Sequence, residues 1–197
     1  MSAKAMLLGS ETLYRVILYF LLHPRARPHF RALQRHVGAG VRPLKAALDR
    51  LEELDLLRSE GEGNRRVYHA NHEHRGWLAL MHMVREFTDP TEVLREALSD
   101  VPNVEAAFIF GSVASGDARL ESDLDLFVIG EEIPDYEMGR CTSESSAVLG
   151  RVVNVVEYSR RDLARRIEEN HYFVRNVLSK PKRWIVGDEK LLARMAA

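Results

Sequence analysis

Apolar residues recur at helical spacing through the first part of the chain. Leu13, Val16, Ile17, Phe20 and Leu21 fall at i, i+3, i+4, i+7 and i+8. That spacing predicts a helix capped by Ser10 and ended by His23-Pro24. Phe30, Leu33 and Val37 predict a second helix over 28–37, closed by the turn Gly38-Ala39-Gly40. Leu44, Ala47, Leu48, Leu51 and Leu54 predict a third, with Pro43 at its first position and Arg42 at its cap. The period then shortens. Two strand-like runs flank Gly61-Glu62-Gly63-Asn64, which predicts a hairpin. Trp77, Leu80, Met81, Val84 and Phe87 form another helical stripe. It either packs on its own domain or forms the seam of a homodimer. Asp89 as cap, Pro90 at the first position and Glu92 at capping-box spacing start a new helix and mark a domain boundary.

Beyond that point the pattern alternates. Strands are predicted over 104–110, 123–129, 152–158 and 183–186, and helices over 135–149, 160–169, 171–178 and 189–195. Strands alternating with helices indicate an α/β domain whose sheet is covered by helices.

Composition narrows the setting. The 197 residues allow one medium domain or two small ones, and 46% hydrophobic with 29% charged residues suits a soluble globular protein. No apolar run is long enough to span a membrane and the N-terminus lacks a signal-peptide pattern, so no membrane partner is expected. Cys141 is the lone cysteine, so an intramolecular disulfide is impossible and a reducing cytoplasm is the expected location. The net charge of −1 conceals a division: residues 1–75 carry 13 Lys+Arg against 8 Asp+Glu, and the remainder 15 against 21. A basic part joined to an acidic part suggests two tasks, one of them facing nucleic acid.

Three helices followed by a basic hairpin resemble the winged helix-turn-helix of prokaryotic transcriptional regulators. The resemblance assigns residues 1–75 to an α-rich winged-helix domain with a β-hairpin wing, residues 76–89 to a connecting helix, and double-stranded DNA as partner. It places Arg42, Lys45 and Arg50 on the helix that enters the major groove and Arg65 and Arg66 on the wing. His69, His72 and His74 lack the spacing of a zinc helix and have no cysteine beside them, so they read as a solvated exit from the wing.

The sharpest chemistry lies in "GSVASGDARLESDLDLFVIG", residues 111–130. Asp123 and Asp125 are two residues apart in a strand pattern, so their side chains share a face while Leu124, Leu126 and Val128 take the other. Two carboxylates on one face suit a hard divalent cation such as Mg2+, which draws further oxygens from a substrate's phosphates. Upstream, Gly111 allows a phosphate close to the backbone, and Ser112 adds a hydroxyl.

Phe110-Gly111-Ser112, ten residues, then Asp123-Leu124-Asp125 resemble the nucleotidyltransferase signature of the DNA polymerase β superfamily, in particular the minimal nucleotidyltransferases. The resemblance implies an α/β nucleotidyltransferase fold with a small mixed sheet over residues 90–197. It implies that Gly111 and Ser112 hold a nucleoside triphosphate, and that Asp123 and Asp125 are catalytic and bind magnesium. The implied reaction joins a nucleoside monophosphate to an acceptor hydroxyl and releases pyrophosphate.

The family's third carboxylate lies on a later strand, between hydrophobic residues. In "RVVNVVEYS" both Asn154 and Glu157 fit, but their odd separation keeps a regular strand from aiming both at the site. The central position favours Asn154 over Glu157. An amide cannot serve as general base and is a weaker cation ligand, so transfer would be slow or absent. His171, Arg175, Lys180, Lys182 and Arg119 are further cations able to meet phosphate. The leading expectation is therefore a DNA-binding regulator whose second domain binds a nucleoside triphosphate and Mg2+. The alternatives are an active nucleotidyltransferase acting on a protein, nucleic acid or small acceptor, and an antitoxin-like partner.

Overall fold

The computed structural model describes residues 8–63, 65–115 and 122–195. The chain forms two compact units, one through Thr88 and one from Asp89 onward.

The first unit holds α1 (Glu11–Leu22), α2 (Phe30–Val37), α3 (Val41–Glu53), the antiparallel hairpin β1 (Leu57–Glu62) and β2 (Arg65–Ala70), and α4 (Gly76–Phe87). The Ser10 side chain accepts from the Leu13 amide and caps α1. Val16, Ile17, Phe20, Leu33, Leu44, Leu48, Leu51 and Leu57 are packed into one core with Trp77. Burial of each such side chain is worth about 1.5–3 kcal/mol before the entropy of ordering it.

Three local expectations need correction. The second helix starts at Phe30 rather than at position 28, because His29 is extended and bridges Val67 while the Pro28 carbonyl accepts from the Tyr68 amide at 3.0 Å. The third starts at Val41 with Gly40 at its cap, two residues before the expected start. Pro43 still costs no hydrogen bond there, since amides in the first turn have no partner within the helix. The strands reach Glu62 and resume at Arg65, so the turn is shorter than the four residues expected. Asn64 itself lies outside the described residues. The helix expected as a connector packs within this unit: Trp77 is buried and donates Nε1–H to the Leu56 carbonyl, and Tyr14 and Thr88 share a hydroxyl hydrogen bond at 3.0 Å.

The second unit begins with α5 (Pro90–Leu98), capped by Asp89, whose carboxylate accepts from the Thr91 amide. There follow β3 (Val104–Phe110), the short α6 (Ser112–Ser115), β4 (Leu124–Gly130), α7 (Asp135–Leu149), β5 (Val153–Tyr158), α8 (Arg160–Glu168), α9 (Tyr172–Ser179), β6 (Arg183–Val186) and α10 (Glu189–Met195). The sheet order is β5-β4-β3-β6. β3 is antiparallel to both neighbours and β4 is parallel to β5, so the sheet is mixed. A parallel pair needs a long crossover, and α7 supplies it.

Side-chain alternation divides the sheet into two faces. Ala106, Phe108, Phe127 and Ile129 pack with Leu163 of α8, Val174 and Val177 of α9, and Leu192 and Met195 of α10. Ala107, Ile109, Leu126 and Val128, also buried, point the other way, toward the side where α5 and α7 pack together.

Candidate functional site

The site forms where β3 ends and β4 begins. Phe110 and Asp125 are partners in the antiparallel register. Immediately after Phe110 the chain turns through Gly111, whose φ is +74°, into α6. A Cβ on Gly111 would lie 2.7 Å from Asp125 Oδ2. Glycine is thus favoured twice over, for the left-handed backbone and for the room beside the carboxylate. Ser112 opens α6 and is exposed.

Asp123 lies just before β4, one residue outside the expected strand, and is exposed, while Asp125 is half-buried within β4. The parallel register sets Asn154 beside Asp125 and Glu157 beside Val128. Asn154 is exposed and directs Nδ2 to Asp123 Oδ2 at 3.5 Å. Neighbours in register share a face, so Asn154 joins the aspartates and Glu157 takes the opposite side of the sheet. There, partial desolvation and then the Asp135 carboxylate push the Glu157 carboxyl above its ordinary value.

One residue escaped the sequence reading. Arg151 donates Nε–H to the Ser122 carbonyl at 2.6 Å, and its Nη2 reaches the same oxygen. The Leu124 amide donates to the Val152 carbonyl at 2.8 Å. Together these bonds hold the segment on which Asp123 sits against the start of β5. Desolvation lowers the affinity of Arg151 for its proton, and the charge of Asp123 opposes that shift. No local pattern could reveal this clamp, since its partner lies 29 residues away.

The other cations are placed elsewhere or are already engaged. Lys182 is buried, with Nζ bonded to the Leu178 carbonyl at 2.7 Å and paired with Glu189 at 3.1 Å. Arg175 donates to Asn170 and lines a shallow hollow with Tyr172 and Ser179. His171 caps α9 with Nδ1 buried, and Lys180 is exposed at the other end of that helix. Arg119 lies outside the described residues. In the first unit Lys45 pairs with Asp49 at 2.6 Å, Arg66 with Glu52 at 2.9 Å, and Arg50 reaches the Leu8 carbonyl. Arg42 is exposed, and the Arg65 side chain is outside the described residues. His69 meets Glu60, His72 the Pro24 carbonyl and His74 the Gly76 amide, and no metal-binding cluster of three or more His, Cys, Asp or Glu occurs among the described residues. No helix among them is long and apolar enough to cross a membrane.

The donor set fits a hard divalent cation. Asp123 and Asp125 supply carboxylate oxygens, and the missing Cβ of Gly111 leaves the space beside Asp125 open. The arrangement can hold a cation and admit a phosphate between Gly111-Ser112 and the two carboxylates. With Asn154 in third place it offers two carboxylates rather than three.

Residues 92–175 match the family described as polymerase beta, nucleotidyltransferase, a span that contains Gly111, Ser112, Asp123, Asp125 and Asn154. A Methanocaldococcus jannaschii protein named "Putative protein adenylyltransferase MJ0604" is 34% identical over 77 residues, which cover 39% of this chain and 74% of the relative. Among solved structures, a toxin–antitoxin complex with AMP-PNP matches 54% of this chain and 80% of its own at 15% identity and a TM-score of 0.39. A mutant of the toxin–antitoxin pair MntA–HpeT matches 55% and 81% at 14% identity and a TM-score of 0.40. With the relative's greater part aligned and the Gly-Ser and Asp-x-Asp elements meeting at one sheet end, the chain belongs to the polymerase β-type nucleotidyltransferase family.

Proposed function

We propose that the second unit binds a nucleoside triphosphate with Mg2+ and transfers its nucleoside monophosphate to a hydroxyl of a protein acceptor. The observation that carries this reading is the convergence of Gly111, Asp125, Asp123 and Asn154 at one end of the sheet. The adenylyl group and the protein acceptor come from the named activity of the Methanocaldococcus relative. Asp123 and Asp125 hold the cation, and Gly111 and Ser112 receive the triphosphate. Bound Mg2+ supplies neutralisation of phosphate charge. In the transfer, the acceptor oxygen forms a bond to the α-phosphorus, the bond to pyrophosphate breaks, and the acceptor loses its proton. Asn154 cannot take that proton, so it passes to solvent and transfer is slow.

A regulator's role on DNA draws less support. Lys45, Arg50 and Arg66, three of the five cations expected at a duplex, are engaged within the unit. The three helices, the hairpin and the basic charge remain compatible with a winged helix, and this unit is the recruiting part of the proposed transferase.

Calorimetry of ATP binding with and without Mg2+ tests the site. The wild type should bind only with the cation, and Asp123→Asn with Asp125→Asn should abolish that binding while the circular dichroism spectrum is kept. Equal affinity in the two proteins would sink the assignment.

A further inference from the structure

The first unit contains a concave cleft that the proposed transfer does not use. It holds about 660 Å3, and its lining includes His29, Phe30, Arg31, Ala32, Arg35 and Arg66. That volume lies in the range of small-molecule sites, roughly 300–1,000 Å3.

The cleft is built on tied elements. The His29–Val67 bridge and the bond from the Tyr68 amide to the Pro28 carbonyl stitch the start of α2 to β2. Arg66 precedes Val67 on that strand and lines the cleft beside α2, with its guanidinium over the Tyr68 ring. Arg66 is oriented by Ser59 and Glu52 and remains 59% exposed. Arg31 and Arg35 are four residues apart and share a face of α2. Both are exposed, and neither has a carboxylate partner among the described residues. His29 Nδ1 is buried without a hydrogen-bond partner. Three arginines, one of them paired with Glu52, thus line one hollow together with Phe30.

We propose that this cleft binds a small multivalent oxyanion, a phosphate- or polycarboxylate-bearing molecule whose apolar part rests on Phe30. Guanidinium forks match the oxygens of phosphate and carboxylate, and an uncompensated group of them favours a ligand of more than one negative charge. The concave shape separates this ligand from a duplex. A nucleic-acid backbone is met by cations strung along an open surface, whereas these line one hollow.

The test uses the full chain freed of divalent cations by passage over a chelating resin, which silences the magnesium-dependent site without adding a competing polycarboxylate. Sodium pyrophosphate and sodium citrate are titrated separately by calorimetry, so that the two arms distinguish phosphate from carboxylate. At least one should bind saturably at one per chain. Arg31→Ala with Arg35→Ala should weaken that binding at least tenfold, Arg31→Lys with Arg35→Lys should weaken it less, and Asp123→Asn with Asp125→Asn should leave it unchanged. The changed arginines are exposed on α2, and circular dichroism checks that the fold is kept. Absence of saturable binding by both probes, or binding indifferent to the alanine pair, overturns the proposal. Loss in the double aspartate variant would assign the anion to the other unit and overturns it equally. A duplex oligonucleotide that binds more tightly than either probe and depends on Arg31 and Arg35 would make the cleft a nucleic-acid contact instead.

Discussion

Asn154 directs its side-chain amide to the Asp123 carboxylate, Nδ2 to Oδ2 at 3.5 Å, while standing in register with Asp125 on the adjacent parallel strand. In the proposed site this puts an uncharged donor where a third carboxylate would meet the cation and the acceptor proton. An amide there carries no charge and cannot act as a general base.

Asn154→Asp should restore that base. General-base assistance contributes roughly a hundred- to ten-thousand-fold, so pyrophosphate release with a competent acceptor should rise at least tenfold. A second readout needs no acceptor. Three carboxylates at one sheet end repel one another, so the variant should melt below wild type in EDTA and gain more in Tm on adding Mg2+. Glu157→Gln should alter neither, since that side chain faces the other side of the sheet. A fast wild type crippled by Glu157→Gln would overturn the register.

Gly111→Ala joins two penalties. The left-handed backbone costs an L-residue about 1–2 kcal/mol, and the new Cβ would stand 2.7 Å from Asp125 Oδ2. The carboxylate end can swing away, so the fold survives with a lowered Tm. The displaced Asp125 should cost at least tenfold in magnesium-dependent ATP affinity by calorimetry. Unaltered affinity would show that Asp125 is not a ligand.

Asp89 links α5 to β6. It accepts from the Thr91 amide at 2.8 Å and the Thr91 hydroxyl at 2.7 Å, and it pairs with Arg183. Desolvation pushes its carboxyl up, but Thr91 and Arg183 more than offset this and hold it below its ordinary value. A depressed carboxyl stabilises the fold above its unfolded pKa, and that contribution fades as pH falls through the lower folded value. Asp89→Ala should cost about 1 kcal/mol near neutral pH, the usual worth of a cap. The gap to wild type should close in acid. Denaturant titrations followed by Trp184 fluorescence in a Trp77→Phe background report on the unit that contains the change. A gap independent of pH would refute the charge-based account.

Cys141 is buried on α7, and desolvation pushes its thiol up to about 12. A thiol reagent at pH 8 should therefore react slowly with native protein and fast once denaturant opens the second unit. Fast labelling of the native chain would contradict this burial.

Much of this molecule was legible along the chain, because the deciding signals were local. Apolar spacing determined the helices to within a residue or two, Asp89-Pro90 marked the start of the second unit, and Gly111-Ser112 with Asp123 and Asp125 pointed to the candidate site. Each depends on neighbours a few residues away, and helix and strand periods convert such spacing directly into faces. The tertiary structure decided the matters that rest on distant partners. Which of Asn154 and Glu157 meets the aspartates follows from the offset between β4 and β5, set by how α7 returns the chain across the sheet. The Arg151 clamp on Ser122, the engagement of Lys45, Arg50 and Arg66, and the burial of Lys182 have the same origin. A charged side chain takes whichever partner the fold brings within reach, and a one-residue slip of a strand turns every side chain to the other face.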